Sequence, residues 1–350
     1  MKIENKYFIS LIPVNGHNLV KPLTKKLSMK GYKIICRQQE LSIRTLLEKK
    51  KFLSAIQELI NRIFFKIYIC LFILIKRNVR IIFAWPQIAG FELIFKAVKY
   101  NKVILYIMDC SFFCIRSYNV HPIKNNECFD CLGSIKPHKL CLPFPKKYKK
   151  LANIKYLELL KENANKFIFY SQNTLQKILL KKHFGNNINV KIVGINIGEV
   201  KKAQKLIKTK RLCYDIVFHG NSLIAKGLLY VIKLAEHLPD QTFLIPDSKK
   251  NVQNILNIES NFSNNLEFKE MNWENGLREA VMSAGLVINP SIWSAPIEAA
   301  LIKSAASNRN VATVKSLYGY EKEIRSIKNH IRLSADIQIA ANQIKMFFNK

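Results

Sequence analysis

The polar side chains best suited to chemistry follow two predicted strands in the second half of the chain. The first strand, at residues 215–219, leads into the octet Gly-Asn-Ser-Leu-Ile-Ala-Lys-Gly, which begins at Gly220 and contains Asn221 and Lys226. A lysine ammonium placed there stabilises negative charge that develops on a phosphate as a bond to it breaks, and backbone N–H groups at a helix start add to this. The octet also fits an ordinary strand-to-helix turn with a surface lysine, and by itself it favours neither interpretation.

The second such segment spans residues 286–314, where a strand, a Pro-Ser turn, a helix and another strand follow one another. This order is typical of a ligand site at the carboxyl end of a parallel sheet. Ser291 lies in the turn, Glu298 in the first turn of a helix expected to begin near Pro296, and Lys303 further along that helix. Glu298 also fits an ordinary helix N-terminal acid, which the helix dipole favours, and Lys303 also fits a solvated helix residue.

The second segment resembles the donor-binding region of the large retaining group of GT-B glycosyltransferases, the family 4 and family 1-like enzymes that use nucleotide sugars and build bacterial surface polysaccharides. In that group a Pro-Ser-x-Trp turn is followed by Glu, seven residues and Glu-Ala, and a Gly-x-Pro-Val strand entry lies twenty positions after the Pro. Pro290 to Asn310 keeps this spacing without a gap, but Ala295 and Lys303 stand where the group has its two glutamates. The Glu-x7-Glu motif is therefore degenerate, and the nearest carboxylate is that of Glu298.

The octet at Gly220 resembles the Gly-Arg and Lys-Gly signature of the same group, with Asn221 in place of the Arg. A lysine cannot accept ribose hydroxyl hydrogens as a carboxylate does, so Lys303 points to a phosphate or an acidic sugar. Gly319 lies in a loop that resembles the one where the group has glycines near the donor, and it also fits a turn glycine. The resemblance implies that the donor is bound by Gly220, Asn221, Lys226, Ser291, Glu298, Lys303 and Gly319.

The acceptor side is expected in the first half of the chain. Asn15, Gly16 and His17 follow the first predicted strand, at 6–13, where GT-B enzymes bring donor and acceptor together. The resemblance implies catalytic roles for His17, which would act on the acceptor hydroxyl, and for Glu298 on the donor side. A hydrogen-bonded loop histidine is the alternative for His17.

Asp109 is a further candidate on the acceptor side. It follows the predicted strand at 103–108 at a place where the group often has a His-Asp pair, but Met108 replaces the His. That replacement weakens any catalytic interpretation of Asp109.

A cysteine-rich insert at residues 110–145 contains Cys114, Cys128, Cys131 and Cys141. Four thiolates at tetrahedral distances would bind a structural zinc ion, and reduced thiols without metal are the alternative. The sequence contains no Asp-x-Asp motif, which argues against a metal-bridged diphosphate. Lysines and helix ends are then expected to carry the leaving-group charge, and no cofactor is expected to be required for catalysis.

The chain is strongly basic, with a net charge of +32 over 350 residues. Residues 1–200 contain 35 basic and 11 acidic residues, against 21 and 13 in the remainder. Such a field attracts polyanions, among them phosphate-bearing substrates, an anionic membrane surface and nucleic acid. A general bias toward lysine in the sequence explains the high net charge equally well. It does not explain why the excess of basic residues is larger in residues 1–200 than in the remainder. Nucleic-acid binding is suggested by charge alone, since no helix-turn-helix, RNA-binding sheet or finger spacing is evident.

The order of predicted strands and helices indicates an α/β protein with two Rossmann-like doubly wound domains facing a cleft. We expect an acceptor-side domain at 1–200, a nucleotide-sugar-binding domain at 212–334, and a terminal helix at 335–350 that can cross back to the first domain. The apolar stretch Ile63 to Ile75 is too short to span a bilayer. It fits a buried core helix or an interfacial helix, and the former is favoured.

The resemblance implies a glycosyltransferase that moves a sugar from a nucleotide-sugar donor to a saccharide or lipid-linked saccharide, in the biosynthesis of bacterial lipopolysaccharide, O-antigen or capsule. Eight cysteines without a signal peptide indicate a reducing compartment. The expected location is therefore cytoplasmic, peripheral at the inner face of the cytoplasmic membrane. The alternative is a catalytically silent GT-B-like protein that binds a saccharide or acts as a scaffold at the membrane.

Overall fold

The computed structural model describes residues 5–11, 20–37, 43–144, 149–194, 214–259, 261–324 and 328–349. The chain forms two compact units. The first comprises Met1–Ser117 and Asp130–Ile197, and the second comprises Tyr118–Phe129 and Gly198–Lys350. Each unit contains a six-stranded sheet whose paired strands are all parallel.

The first unit alternates strands and helices along the chain. Its elements are β1 (Lys6–Ser10), α1 (Val20–Ser28), β2 (Lys33–Cys36), α2 (Ile43–Glu48), α3 (Phe52–Ile75), β3 (Arg80–Ala84), α4 (Pro86–Ala89), α5 (Phe91–Val98), β4 (Lys102–Tyr106), α6 (Lys150–Glu162), β5 (Ile168–Ser171), α7 (Thr174–Phe184) and β6 (Asn189–Ile192). The strand order is β2-β1-β3-β4-β5-β6. In the central strands β3 and β4, four successive residues are buried, as expected for parallel strands covered on both faces.

The second unit follows the same alternation. Its elements are β7 (Ile216–Phe218), α8 (Leu228–Glu236), β8 (Phe243–Ile245), α9 (Lys249–Leu256), β9 (Leu266–Phe268), α10 (Leu277–Ser283), β10 (Leu286–Asn289), α11 (Ala299–Ser307), β11 (Asn310–Val314), β12 (Asn329–Leu333) and α12 (Ile337–Phe348). The strand order β9-β8-β7-β10-β11-β12 reverses direction between β7 and β10. In doubly wound sheets, ligands bind at the carboxyl ends of the strands at this switch point.

The two predicted Rossmann-like domains are therefore present, but one segment differs from expectation. Residues 118–129, which the sequence assigns to an insert of the first domain, belong to the second unit. The predicted boundary between the first domain, which ends at 200, and the second, which begins at 212, lies outside the described residues.

The terminal helix α12 also belongs to the second unit. Its buried residues Ala340, Ala341 and Ile344 lie in one hydrophobic cluster with residues of α8 and of the strands around β7. The Asp336 carboxylate accepts a hydrogen bond from the backbone N–H of Ile339 at 2.9 Å, which caps the start of the helix. The apolar face of this helix completes the core of its own unit, and the crossing back to the first domain stays a prediction.

The long helix α3 differs from expectation in its environment. The sequence favours a buried core helix at 63–75, but most of the large apolar side chains of α3 are exposed. None of the helices in the described part of the chain has the length and apolar composition needed to cross a membrane.

Candidate functional site

The candidate site is built by the two loops that follow β7 and β10 in the second unit. Residues Ile224–Lys226 form a short 3-10 helix after β7, and Gly227 follows it with a φ of +82°. A Cβ on Gly227 would overlap the Pro290 backbone carbonyl, so only glycine lets these loops meet. The Ile292 N–H donates to the Ala225 carbonyl at 3.0 Å and fixes the contact.

Lys226, Ser291 and Glu298 converge where these loops meet. Nζ of Lys226 lies 2.6 Å from Oε1 and 2.7 Å from Oε2 of Glu298. The Ser291 hydroxyl donates to Oε1 of the same carboxylate at 2.7 Å. The Lys226 and Glu298 side chains are only 15% and 9% exposed, so this ion pair is largely shielded from water.

The position of Glu298 differs from the predicted one. Helix α11 begins at Ala299 rather than near Pro296, and Glu298 is its N-cap residue. The Glu298 side chain makes no capping hydrogen bond. Its carboxylate instead binds Lys226 and Ser291.

Two aromatic rings surround the Lys226 ammonium. Nζ lies 5.0 Å from the centroid of the Trp293 ring and 6.0 Å from that of Tyr118. The two rings meet edge to face, with centroids 4.6 Å apart. Cation–π attraction to these rings adds to the ion pair and helps to fix the position of the ammonium.

A small pocket opens beside Glu298. Among its lining residues are Asn289, Ser291, Trp293, Glu298, Thr313 and Glu321. The buried Nε1 of Trp293 and Oδ1 of Asn289 have no hydrogen-bond partner among the described residues. Because buried polar atoms are nearly always paired, this donor and this acceptor are available to a polar ligand.

Residues 118–129 support one wall of the site, and sequence reasoning did not identify them. The Asn119 side chain accepts from the N–H of Ser294 at 2.9 Å and donates to its Oγ at 2.8 Å. The Glu127 carboxylate accepts from Ser294 Oγ at 2.5 Å and from the N–H groups of Leu317 and Tyr318 at 2.6 and 3.2 Å. No local pattern signals these contacts, because the partners lie 167 to 191 positions apart in the sequence.

Gly319 lies in the loop that Glu127 holds. Its N–H donates to Ser316 Oγ at 2.7 Å, and that hydroxyl donates to the Glu321 carboxylate at 2.6 Å. A Cβ on Gly319 would overlap the side chains of Ser316 and Glu321. The glycine is therefore needed here to fit these two side chains, and its role as a donor contact is not required to explain it. Burial raises the pKa of Glu321 above its ordinary value, and its hydrogen bonds to Ser316 oppose that shift.

Lys303 lies in a second cluster rather than beside Glu298. Its Nζ is 4.7 Å from the centroid of the Trp273 ring, which stacks on His219 with centroids 5.1 Å apart. Nδ1 of His219 lies 2.8 Å from Ser304 Oγ. Burial, reinforced by the charge of Lys303, lowers the pKa of His219 to about 3, so this imidazole is neutral at physiological pH.

The other predicted donor-side residues differ in their surroundings. Gly220 packs against the ring of Phe218, where an added Cβ would lie 3.2 Å from the ring. Asn221 is exposed. Asn308, at the position of a glycine in the resembled group, donates to the Val281 and Ala284 carbonyls at 2.8 and 2.9 Å and so caps the end of α10.

In the first unit, Asp109 is buried. Its carboxylate accepts from Nε2 of Gln87 at 3.0 Å and from the N–H of Ser111 at 2.9 Å. Burial raises its pKa to about 6, against the lowering effect of these hydrogen bonds. The other predicted acceptor-side residues, Asn15, Gly16 and His17, lie outside the described residues.

The predicted zinc ligands Cys114, Cys128, Cys131 and Cys141 lie within the described residues. Within the described ranges, no three His, Cys, Asp or Glu side chains are grouped so that they could hold a metal ion.

Comparison with models of protein families finds no match, and comparison with curated proteins likewise finds none. Solved structures do match. A glycosyltransferase from Rickettsia africae aligns with a TM-score of 0.55 at 12% identity, over 99% of this chain and 88% of that one. Anabaena HepE in complex with UDP-glucose aligns with a TM-score of 0.52 at 12% identity, over 98% and 89%.

A mutant of S. aureus TarM, in complex with fondaparinux, alpha-GlcNAc-glycerol and UDP, aligns with a TM-score of 0.52 at 18% identity. The alignment covers 83% of this chain and 52% of TarM, so the chain spans about half the length of that protein. At such identities the likeness concerns the fold. The two six-stranded parallel sheets with flanking helices are the two Rossmann-like units of the GT-B fold.

Proposed function

We propose that this chain is a glycosyltransferase whose second unit binds a nucleotide-sugar donor and whose acceptor is a saccharide or a lipid-linked saccharide. One observation carries the proposal. Lys226, Ser291 and Glu298 converge at the switch point of the second sheet, beside a pocket that offers an unpaired donor and acceptor. That edge of a doubly wound sheet is where nucleotides bind.

Lys226 is the group that would stabilise the leaving diphosphate. In the reaction, the bond between the anomeric carbon and the phosphate oxygen breaks, the acceptor oxygen bonds to that carbon, and the acceptor proton is released. Negative charge grows on the diphosphate, and an ammonium already held in place stabilises it without reorganisation. An ammonium has three N–H donors, so Lys226 can keep Glu298 as a partner and still donate to a phosphate.

Glu298 positions that ammonium and offers carboxylate oxygens to a ribose. Its two oxygens accept from Lys226 and Ser291, and a carboxylate has about four lone-pair sites in total. The remaining sites suit the hydroxyls of a ribose, the role that the resembled group gives to the carboxylate replaced here by Lys303. We propose a uridine nucleotide as donor, because HepE was solved with UDP-glucose and TarM with UDP.

The finer features of the proposal rest on the sequence. The resemblance to the retaining group supports transfer with retention of configuration, and the lack of an Asp-x-Asp motif supports transfer without a bridging divalent cation. The same resemblance supports a role in bacterial lipopolysaccharide, O-antigen or capsule biosynthesis. The first 200 residues, with 35 basic and 11 acidic residues, suit work at an anionic membrane surface.

A second candidate function is a catalytically silent protein that binds a saccharide or acts as a scaffold. Two observations favour it. The Lys226 ammonium is already paired with a carboxylate, and Lys303 packs over Trp273 at the position where the resembled group has a carboxylate. Catalysis and silent binding differ in turnover, so an activity measurement separates them.

The decisive experiment measures donor hydrolysis and sugar transfer by the purified chain. Lys226→Ala and Lys303→Ala are compared with the unchanged chain and with Lys233→Ala, which removes an exposed lysine of α8. The proposal expects Lys226→Ala to lower kcat by about 10²-fold or more, while Lys233→Ala leaves it unchanged. Equal rates in all four proteins, or no detectable rate in any of them, would contradict the glycosyltransferase proposal and support the catalytically silent protein.

A thermal-shift screen identifies the donor. A ligand that binds only the folded chain raises its apparent stability, by about 2.7 kcal/mol at a hundredfold excess over Kd. UDP, other nucleoside diphosphates and their sugar conjugates are the probes. We expect the largest shift in Tm with a uridine nucleotide and a smaller one after Lys226→Ala.

A further inference from the structure

Helix α3 of the first unit has two opposite faces. Its inward face consists of residues that are buried against the unit: Ala55, Glu58, Ile69, Phe72 and Ile73. The Phe72 ring meets the Tyr7 ring of β1 edge to face, with centroids 4.8 Å apart. The helix is therefore attached to its unit along one side.

The outward face of α3 is apolar and exposed. Twelve large apolar side chains form it: Phe52, Leu53, Ile56, Leu59, Ile60, Ile63, Phe64, Ile67, Tyr68, Leu71, Leu74 and Ile75. Leu53, Phe64 and Ile75 are 83%, 65% and 71% exposed. With 3.6 residues per turn, the twelve positions fall within about half of the helix circumference. Single exposed apolar residues are normal, but a contiguous face of this extent marks an interaction surface.

The charges around this face are almost all positive. Residues 43–80 contain nine basic and two acidic residues. The one acid within α3, Glu58, is buried and paired with Arg37 at 3.2 Å and Arg62 at 2.8 Å. The exposed lysines lie at the start of the helix, at its flank and just after its end: Lys49, Lys50, Lys51, Lys66 and Lys76.

We infer that the outward face of α3 docks onto a lipid bilayer that contains anionic phospholipid. An amphipathic helix of this kind lies flat, with its apolar side chains at the boundary of headgroups and acyl chains. Its 24 residues give a contact about 36 Å long, at 1.5 Å per residue. The lysines reach the phosphate groups while their methylene stems lie along the apolar surface.

A second copy of the chain is a poorer occupant. A symmetric dimer through α3 would bring the same surface of both copies together, and with it the lysines at the helix ends and flank. Each copy carries a net charge of +32, and no exposed acid on α3 offsets this charge. An anionic lipid surface complements both properties of the face, whereas a copy of the chain complements only its apolar part.

The test is flotation of the full chain with lipid vesicles. One set contains phosphatidylcholine alone, and the other contains the same total lipid with part of it replaced by phosphatidylglycerol. We expect the chain to float with the anionic vesicles, to bind the neutral vesicles several-fold less, and to lose affinity as salt rises. A chain that stays in solution with both vesicle sets overturns the proposal.

Two leucines provide a matched pair of variants. Leu53 is the second residue of α3 and 83% exposed, and Leu151 is the second residue of α6 and 81% exposed. Because the two positions share residue type, helix position and exposure, Leu53→Asp and Leu151→Asp are expected to affect folding equally. Leu53→Asp should weaken vesicle binding by about tenfold, from the loss of one inserted leucine, and Leu151→Asp should leave it unchanged.

Adding Phe64→Asp to Leu53→Asp should weaken vesicle binding further. Equal binding by the two single variants overturns the proposal. So does a dimer of the unchanged chain that Leu53→Asp dissociates, because the face would then belong to a second copy. Vesicle binding is measured without any sugar substrate, so its outcome is independent of the proposed glycosyltransferase activity.

Discussion

Lys226 and Glu298, 72 residues apart in the sequence, form an ion pair of 2.6 Å that joins the loops after β7 and β10. The pair lies at the point where the strand order of the second sheet reverses. It therefore links the stability of the second unit to the geometry of the candidate site. The same two residues can be tested for both properties.

Removing either partner of this pair should destabilise the chain. Lys226→Met leaves the shielded Glu298 carboxylate without its counter-charge, which costs about 3 kcal/mol. Glu298→Gln leaves the ammonium without its anion and costs a similar amount. In the double variant neither charge remains. We therefore expect its loss in free energy of unfolding to be smaller than the sum of the losses of the two single variants by about 1–3 kcal/mol. Urea denaturation of the four proteins measures this coupling, and additive losses would contradict it.

Gly227→Ala should be far more damaging than an alanine at a glycine with nearly the same φ. Gly227 and Gly133 have φ values of +82° and +83°. An alanine at either position costs about 1–2 kcal/mol in backbone strain. At Gly133 the added Cβ meets no heavy atom within 4 Å, whereas at Gly227 it overlaps the Pro290 carbonyl. The prediction is a lower Tm for Gly227→Ala than for Gly133→Ala, with donor binding lost only in the former.

The Glu127 carboxylate should order the loop at Leu317 and Tyr318. It accepts from both backbone N–H groups, and hydrogen bonds to a charged group contribute about 1.5–3 kcal/mol. Glu127→Gln replaces one acceptor oxygen by an amide donor and should speed hydrogen exchange at these two amides by about tenfold or more. Glu270→Gln, at an exposed position, is the control. Unchanged exchange after Glu127→Gln would show that the loop is held by other contacts.

The fold was predictable because the local patterns and the tertiary structure agree. The apolar run at 286–288 and its Pro-Ser turn became β10 and the loop of the candidate site, and the strand at 215–219 became β7. Strand β12 was not predicted. Its sequence, Asn-His-Ile-Arg-Leu, alternates polar and apolar residues weakly, and it is defined mainly by its pairing with β11.

The candidate site was predictable only where its residues are close to a pattern. Lys226, Ser291 and Glu298 follow strands and were identified, but their mutual contact depends on the adjacency of β7 and β10. Glu127 was missed because its partners lie more than 160 positions away. The burial of the side chains of α3 also could not be predicted from the sequence. The apolar composition of α3 predicts a buried helix, but composition alone does not show which face of a helix is covered by the rest of the chain.

The stability of the chain should depend on pH through Asp109. Burial raises the pKa of this carboxyl from 3.8 to about 6. Between these two values the folded chain binds more protons at this position than the unfolded chain does, so the contribution of Asp109 to stability falls as pH rises from about 4 to about 6. Above pH 6 it stays constant. The total is about 3 kcal/mol, from about 1.4 kcal/mol for each unit of pKa.

Asp109→Asn isolates this contribution from other titrating groups. Oε1 of Gln87 is buried without a hydrogen-bond partner among the described residues, while Nε2 donates to Asp109. If the Gln87 amide turns over, Oε1 can accept a hydrogen from a protonated Asp109 or from the asparagine, so the substitution fits the site at every pH. The free energy of unfolding of the variant minus that of the unchanged chain should rise by about 3 kcal/mol from pH 4 to pH 7. Denaturation at a series of pH values measures this difference, and a difference that is constant or falls over the range would refute the raised pKa.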